Sequence, residues 1–363
     1  MSLRHYLALL AVAALTTAAL TPAVRALALR IGVVDHPGGR RVHREPVARL
    51  GGVAVALGVA VALGAQALGE RLWGWGGSLF ERPEDLLAVL LGAFIVFITG
   101  LADDVFQLRA GQKLLGQAAA ALIVVLWGPT VDFVGNPFGG GLLYLGVLGA
   151  PVTFLWVLGF TNIINLIDGL DGLASGVTAI AALTFALIAA ETNQLAAAGL
   201  AVMTVGACLG FLWYNFHPAS IFLGDSGAML LGYMLSAISL LGVMKSVAAI
   251  ALAVPLIVIG VPIFDTATAI IRRLRHGRPV HEADAGHLHH RLLGRGFTQR
   301  QTVLVIYLWS GLLAIGGYSM RWMPLALKLA VFLVLAGLSG FMAYWLGLFE
   351  AAHEATHHDS KAG

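Results

Sequence analysis

The chain has 363 residues, of which 59% are hydrophobic and only 11% charged, and its mean hydropathy is +0.86. Soluble domains carry about 25% charged and about 45–50% apolar residues, so an ordinary soluble fold, a disordered chain and a nucleic-acid-binding module are excluded. A net charge of +3 gives no sign of a polyanionic partner, and a lone cysteine, Cys208, rules out a disulfide framework or a Cys-rich metal site.

Apolar stretches of about 17–25 residues recur along the sequence, the length a helix needs to cross a bilayer. Spans are expected at about 5–24, 50–68, 86–102, 113–128, 150–167, 173–190, 195–214, 227–244, 247–271, 301–319 and 325–348. The first is followed by Ala-Leu-Ala near Ala26 and could be taken for a signal peptide, but the spans that follow favour a retained helix. The sequence therefore predicts an all-α integral membrane protein of about eleven transmembrane helices. Residues 1–349 form one polytopic domain in this reading, and 350–363 a polar, disordered tail. Between the fourth and fifth spans, segment 129–149 lacks Lys and Arg and carries Asn136-Pro137-Phe138-Gly139-Gly140-Gly141, which predicts a small hairpin.

Basic residues give the orientation, because cytoplasmic loops are enriched in Lys and Arg. With the N-terminus outside, only Arg4, Arg71, Arg82, Lys245, Arg321 and Lys328 fall outside; the other Lys and Arg fall inside, many of them in segments 25–49 and 272–300. The C-terminus is then cytoplasmic.

Ionisable residues at membrane helices are costly and mark function by default. Here they are one-sided. The Arg- and His-rich segment 35–49 follows the first span, Asp103-Asp104 close the third, and Asn162, Asn165, Asp168 and Asp171 close the fifth. Asp225 opens the eighth, and His287, His289 and His290 follow the ninth. All of these fall on the inside, which predicts one cytoplasmic site assembled from five loops.

The spacing within each group narrows the chemistry. Adjacent Asp103 and Asp104 point about 100° apart on a helix, so they should do different jobs. The polar residues from Asn162 to Asp171 step by three and share a helix face, while Gly169 and Gly172 permit close approach to a ligand. Such a face can hold ribose hydroxyls, a base edge or hydrated Mg²⁺. Capping would explain one such residue, but not four in an apolar segment. Asp225, between Gly224 and Ser226-Gly227, is either a helix cap or an oxygen ligand for a hard cation. His287, His290 and Arg291 would share a face if helical, and they suit a pyrophosphate better than zinc. Asp265, the acid set deepest in an apolar segment, is expected either to pair with an arginine or to act directly.

Together these residues resemble the polyprenyl-phosphate N-acetylhexosamine-1-phosphate transferases, glycosyltransferase family 4. The resemblance runs through Asp35-His36-Pro37 to His43, Pro46 and Arg49-Leu50-Gly51-Gly52, then Gly100 to Asp104, Asn162 to Gly172, Phe222 to Gly227, Pro262 to Thr266, and His287 to Leu292. The His-x-His-His-Arg-Leu form and two later spans are similar to the WecA/TagO-like branch rather than the MraY-like branch, which uses UDP-MurNAc-pentapeptide. Gln107 departs from the family, which often has an acid or Asn there.

The resemblance implies transfer of N-acetylhexosamine 1-phosphate, GlcNAc-1-phosphate above all, from a UDP-sugar to polyprenyl (undecaprenyl) phosphate with release of UMP. That reaction is a first membrane step of cell-envelope polysaccharide synthesis, as in teichoic acid or lipopolysaccharide. It implies Mg²⁺, with Mn²⁺ as a substitute, held by Asp225. Asp103, Asp104, Asp225, His287, His289 and His290 would be catalytic. Asn162, Asn165, Asp168, Asp171, Arg291, His43 and Arg49 would bind substrate. The implied setting is a bacterial cytoplasmic membrane with the site facing the cytoplasm, no nucleic acid, and a homodimer left open. A secondary transporter is the rival class; it predicts inverted repeats and mid-membrane polar groups, whereas these acids cluster at helix ends.

Overall fold

The computed structural model describes residues 2–35, 46–75, 83–135, 142–243, 253–275, 287–346 and 348. Apolar sequence in a bilayer must satisfy its backbone internally, and helices do so. The chain begins with α1 (Leu3–Ile31), α2 (Gly51–Trp73), α3 (Pro83–Phe106) and α4 (Ala110–Trp127). It continues through α5 (Gly149–Ile167), α6 (Leu173–Glu191), α7 (Leu195–Asn215) and α8 (Gly224–Ile238). After α9 (Ala253–Val258) and α10 (Gly260–Arg275) come the short α11 (Leu288–Gly294), then α12 (Gln299–Ser319) and α13 (Leu325–Leu346).

Among the described residues, 10 helices are long and apolar enough to cross a membrane. They match ten of the expected spans, although several are longer. Helix α1 runs to Ile31 and α3 to Phe106, so α1 takes in Arg30 and α3 takes in Asp103 and Asp104. The ninth expected span differs. Residues 244–252 lie outside the described residues, and the rest is divided between α9 and α10 at Ile259. Pro262 has no N–H to offer the Val258 carbonyl, so one helical bond is missing at that junction.

Helix α8 is central. It packs against α3, α5 and α2 and is buried along nearly its whole length, as expected of a helix that is apolar all round. Helices α6 and α7 back it, and α1 packs along α7 and α2. Helix α13 is peripheral and is held to α11 and α12 by few contacts, one being Arg295 stacked 4.5 Å over the Trp345 ring.

Two small antiparallel ribbons join helices. Strands β1 (Val34–Asp35) and β2 (Val47–Ala48) pair beside α2, and Ala48 bridges to Ile221. Strands β3 (Phe133–Gly135) and β4 (Leu142–Tyr144) form the hairpin that the 129–149 pattern predicts, with Phe133 opposite Tyr144. Residues 136–141 and the expected tail at 350–363 lie outside the described residues.

Candidate active site

One end of the bundle gathers the C-termini of α3, α5 and α7, the N-termini of α4 and α8, the loop around Arg49 and the short α11 with His290. The joints are hydrogen bonds between distant segments. Gly51 and Gly52 donate backbone N–H groups to Phe222 and Leu223 at 2.9 and 2.7 Å, and Phe222 donates to Ala48 at 2.8 Å. The Arg49 segment is thereby clamped onto the start of α8. Gly224 turns that corner with φ +73, and a Cβ there would fall 2.7 Å from Asp104 Oδ2, so a side chain is excluded by both conformation and space.

The adjacent acids divide. Asp104 is fully buried, and its carboxylate accepts the N–H groups of Asp225 at 2.7 Å and Ser226 at 3.0 Å. These are two of the donors that a helix N-terminus leaves unpaired, so Asp104 caps α8 from another helix. Asp225 lies inside the first turn and does not cap it. Asp103 turns instead toward Lys113, whose Nζ lies 2.8 Å from its Oδ2 and also donates to Asp225 Oδ2. Arg49 completes the cluster. Its Nη2 donates to Asp225 Oδ1 at 3.0 Å and lies 3.8 Å from Asp103, and its Nε lies 3.3 Å from Asp104. Burial works against the guanidinium charge, but the carboxylates of Asp104, Asp225 and Asp103 outweigh it and raise the Arg49 pKa.

A cavity of about 730 Å³ opens beside this cluster, and Arg49, Asp168, Asp171, Asp225 and His290 contribute to its wall. Asp168 follows the last turn of α5, and among the described residues its carboxyl makes no hydrogen bond. Burial, and then the negative charge of Asp225, push its pKa up to about 8, so it carries a proton at neutral pH. Asp171 Oδ2 lies 2.7 Å from His217 Nδ1 and accepts the Ala219 N–H at 3.1 Å.

Several predicted site residues lie elsewhere. Asn162 donates to Gln117 Oε1 at 2.7 Å and to the Leu158 carbonyl at 2.9 Å, so it is spent on the contact between α4 and α5. Asn165 offers its carbonyl to the Asp168 N–H at 3.3 Å, and its side chain is not in the cavity wall. The expected shared face of His287, His290 and Arg291 does not form, because α11 starts at Leu288 and His287 is its extended N-cap residue. His287 turns its Nδ1 to Asp265 Oδ2 at 3.0 Å, and Asp265 Oδ1 accepts the Leu288 N–H at 2.7 Å. Asp265 therefore pairs with a histidine and caps α11, where an arginine partner or a direct role was expected. His289 packs over Gly169, and burial, with His290 and His287 beside it, lowers its pKa to about 3. It is neutral at pH 7. Arg291 lies on α11 outside the cavity wall, and His43 lies outside the described residues.

The structure also adds residues that the sequence reading passed over. Lys113 is the shared counter-ion. Asn215 accepts the Gly172 N–H at 3.1 Å and donates to the Ile221 carbonyl at 3.0 Å, tying the 168–172 turn to the approach to α8. Arg25 and Arg300 donate Nε to the Ser220 and His217 carbonyls at 2.9 and 3.0 Å, and Tyr307 donates to Gly172. A signal existed for Asn215 and His217: they fall with Asp225 between the seventh and eighth expected spans.

Comparison with known proteins gives the family. Residues 86–243 match the family model described as glycosyl transferase family 4. The chain is 40% identical over 324 residues to a Bacillus subtilis (strain 168) protein named probable undecaprenyl-phosphate N-acetylglucosaminyl 1-phosphate transferase, covering 89% of this chain and 87% of that one. It is 38% identical over 328 residues to the decaprenyl-phosphate N-acetylglucosaminephosphotransferase of Mycobacterium tuberculosis (strain ATCC 25618 / H37Rv), covering 85% and 80%. To the undecaprenyl-phosphate alpha-N-acetylglucosaminyl 1-phosphate transferase of Escherichia coli (strain K12) it is 28% identical over 326 residues, covering 87% and 85%. With relatives that similar over most of its length, the chain belongs to glycosyl transferase family 4.

Proposed function

We propose that the protein transfers N-acetylglucosamine 1-phosphate from UDP-GlcNAc to a polyprenyl phosphate in a bacterial cytoplasmic membrane. The observation that carries this reading is the cavity of about 730 Å³, whose wall takes acids, arginines and histidines from separate loops and helix starts at one end of an apolar bundle. Relatives similar along most of the chain are named for that transfer. In this reading the N-terminus is outside and the cavity faces the cytoplasm, as the distribution of Lys and Arg favours.

An oxygen of the lipid phosphate attacks the sugar-linked phosphorus, and the bond to the UMP oxygen breaks with its electron pair leaving on UMP. Both reactants are anionic, so the work is alignment and charge neutralisation. Arg49 supplies a guanidinium fixed by three carboxylates, and His290 a second polar group on the wall. Protonated Asp168 can donate a hydrogen bond to the donor substrate. Neutral His289 holds the Gly169 turn in place and carries no charge for a phosphate. A phosphate monoester is mostly ionised at pH 7, so Asp103 has little need to act as a base and positions Lys113.

The reading includes magnesium, replaceable by manganese, held by Asp225 with Asp103 beside it. The residues fit such an ion. The donors are oxygens only, and the Lys113 ammonium between Asp103 and Asp225 is a cation already accommodated there. Such an ion takes one or two carboxylates and fills its shell with water and substrate phosphates. When bound, it would neutralise the pyrophosphate as a Lewis acid.

The test supplies purified protein with Mg²⁺, polyprenyl phosphate and a panel of UDP-sugars and scores UMP release. Release with UDP-GlcNAc, none with UDP-MurNAc-pentapeptide and none in excess EDTA is expected. Equal use of the pentapeptide donor would reject the donor assignment, and full turnover in EDTA would reject the metal.

A further inference from the structure

In the ionic cluster at the head of α8, both oxygens of Asp225 already accept from positive groups. Asp225 Oδ1 accepts from Arg49 at 3.0 Å, and its Oδ2 accepts from Lys113. The same ammonium lies 2.8 Å from Asp103 Oδ2. Asp104 faces inward and is committed to the backbone of α8. A divalent cation approaching Asp225 therefore finds both oxygens engaged by positive groups. Each oxygen keeps a second lone pair, but an ion bound there would lie against a positive group and be repelled by it.

The two groups differ in how readily they leave. Arg49 is anchored by contacts to all three carboxylates, and its planar fork is pre-organised for them. Lys113 is a compact charge on a flexible stem in the first turn of α4; its side chain is as exposed as that of Arg49, about one-quarter, but two carboxylates hold it rather than three. Without it, Asp103 and Asp225 would face each other with less compensation, an arrangement that like charges disfavour. We propose that Lys113 is a built-in competitor for the metal: its ammonium holds the Asp103 and Asp225 oxygens while the metal is absent, and cation binding requires its withdrawal. The protein then stays folded when empty and binds the cation weakly and exchangeably. This rests on the reading of Asp225 as the metal-holding carboxylate.

The test uses the full chain in detergent, stripped with EDTA, and titrates Mn²⁺ by the paramagnetic resonance signal of the free ion alongside thermal melting. K113Q should bind Mn²⁺ about tenfold more tightly than wild type. It should melt lower than wild type when empty and gain more from Mn²⁺. K113R, which restores a cation, should return toward wild-type affinity. R109Q removes a charge at the same helix end without breaking the bridge, and it should leave the affinity unchanged. Unchanged or weaker Mn²⁺ affinity in K113Q overturns the proposal, as does an equal gain in R109Q. If K113Q does not survive extraction, K113M repeats the measurement; failure of both to fold even with Mn²⁺ would make Lys113 a structural strut and also overturn it. D225N separates this from the reading beneath. Identical Mn²⁺ binding by wild type and D225N rejects Asp225 as the metal holder and takes the proposal with it, whereas a D225N loss beside an unchanged K113Q rejects the competitor alone.

Discussion

Two ionic clusters stand at opposite ends of the bundle and share their ingredients. At one end Arg49 and Lys113 meet Asp103, Asp104 and Asp225. At the other, where α6 ends and α12 ends, Glu191 accepts from Tyr318 and from Arg321 at 2.9 Å, and Arg321 lies over the Trp322 and Tyr318 rings. The second cluster has one acid, one base and aromatic cover, with the Glu191 side chain 39% exposed and that of Arg321 13%, and its contacts close on themselves. The first has more acids than bases, is half-buried between helix ends, and borders a cavity. Ion pairing alone therefore does not mark a site. Unbalanced charge held against an opening does, because a ligand can still lower its energy.

The largest effect separates the two ends outright. D225N removes the carboxylate charge read as the metal ligand while keeping the side-chain shape, and UMP release should fall by about a hundredfold or more. E191Q should leave turnover within about twofold of wild type. Comparable losses in both variants would mean that charge balance across the whole bundle, rather than the cavity end, governs activity.

The next effect concerns stability. D104A strips α8 of its two capping acceptors and takes a buried partner from Arg49. Breaking a buried pair on one side costs about 3–5 kcal/mol, so detergent-solubilised D104A should melt well below wild type even without substrate. D103A, whose side chain makes no helix cap, should melt closer to wild type. The reverse order would remove the division of roles between the neighbours.

A third measurement uses pH. The folded protein holds the Asp168 pKa at about 8, against about 3.9 for an unfolded Asp. The folded state therefore binds the extra proton between those values. Its contribution to stability is fully present below about pH 4 and is lost as pH rises through about 8. Metal-free wild type should lose melting temperature across that window, and D168N should flatten the loss. An identical slope in the two proteins would place the proton elsewhere.

Much of this was legible in the sequence, for a physical reason. A bilayer admits few structures, so long apolar runs had to be helices, and acids at their ends had to be tolerated for some purpose. What was illegible depends on contacts between distant residues. Lys113 reads as an ordinary basic residue at a helix start, and nothing local says that Asp225 will arrive beside it. Asp104 looks identical to Asp103 until α8 is placed against α3. His287 sits one residue before α11, so a face drawn with helical spacing fails at its first member. Asn162 fits the three-residue step yet is consumed by Gln117 on a neighbouring helix. Period and composition locate elements; they do not report which polar atoms those elements will use up on each other.

The smallest effect sharpens the contrast from its quiet side. Glu191 and Arg321 form a well-placed pair, with Arg321 backed by two aromatic rings. The Glu191 side chain is 39% exposed, however, and exposed ion pairs are worth about 0–1 kcal/mol, less as salt screens them. R321Q should therefore lower the melting temperature slightly, and raising the salt concentration should erase the difference from wild type. Salt should not rescue D104A, whose loss includes the two backbone caps of α8, which screening does not replace. A salt-insensitive loss in R321Q, as large as that of D104A, would show that the exposed cluster pins α6 to α12 as firmly as the buried one pins α8 to α3. Exposure would then no longer separate the two ends, and the cavity alone would distinguish them.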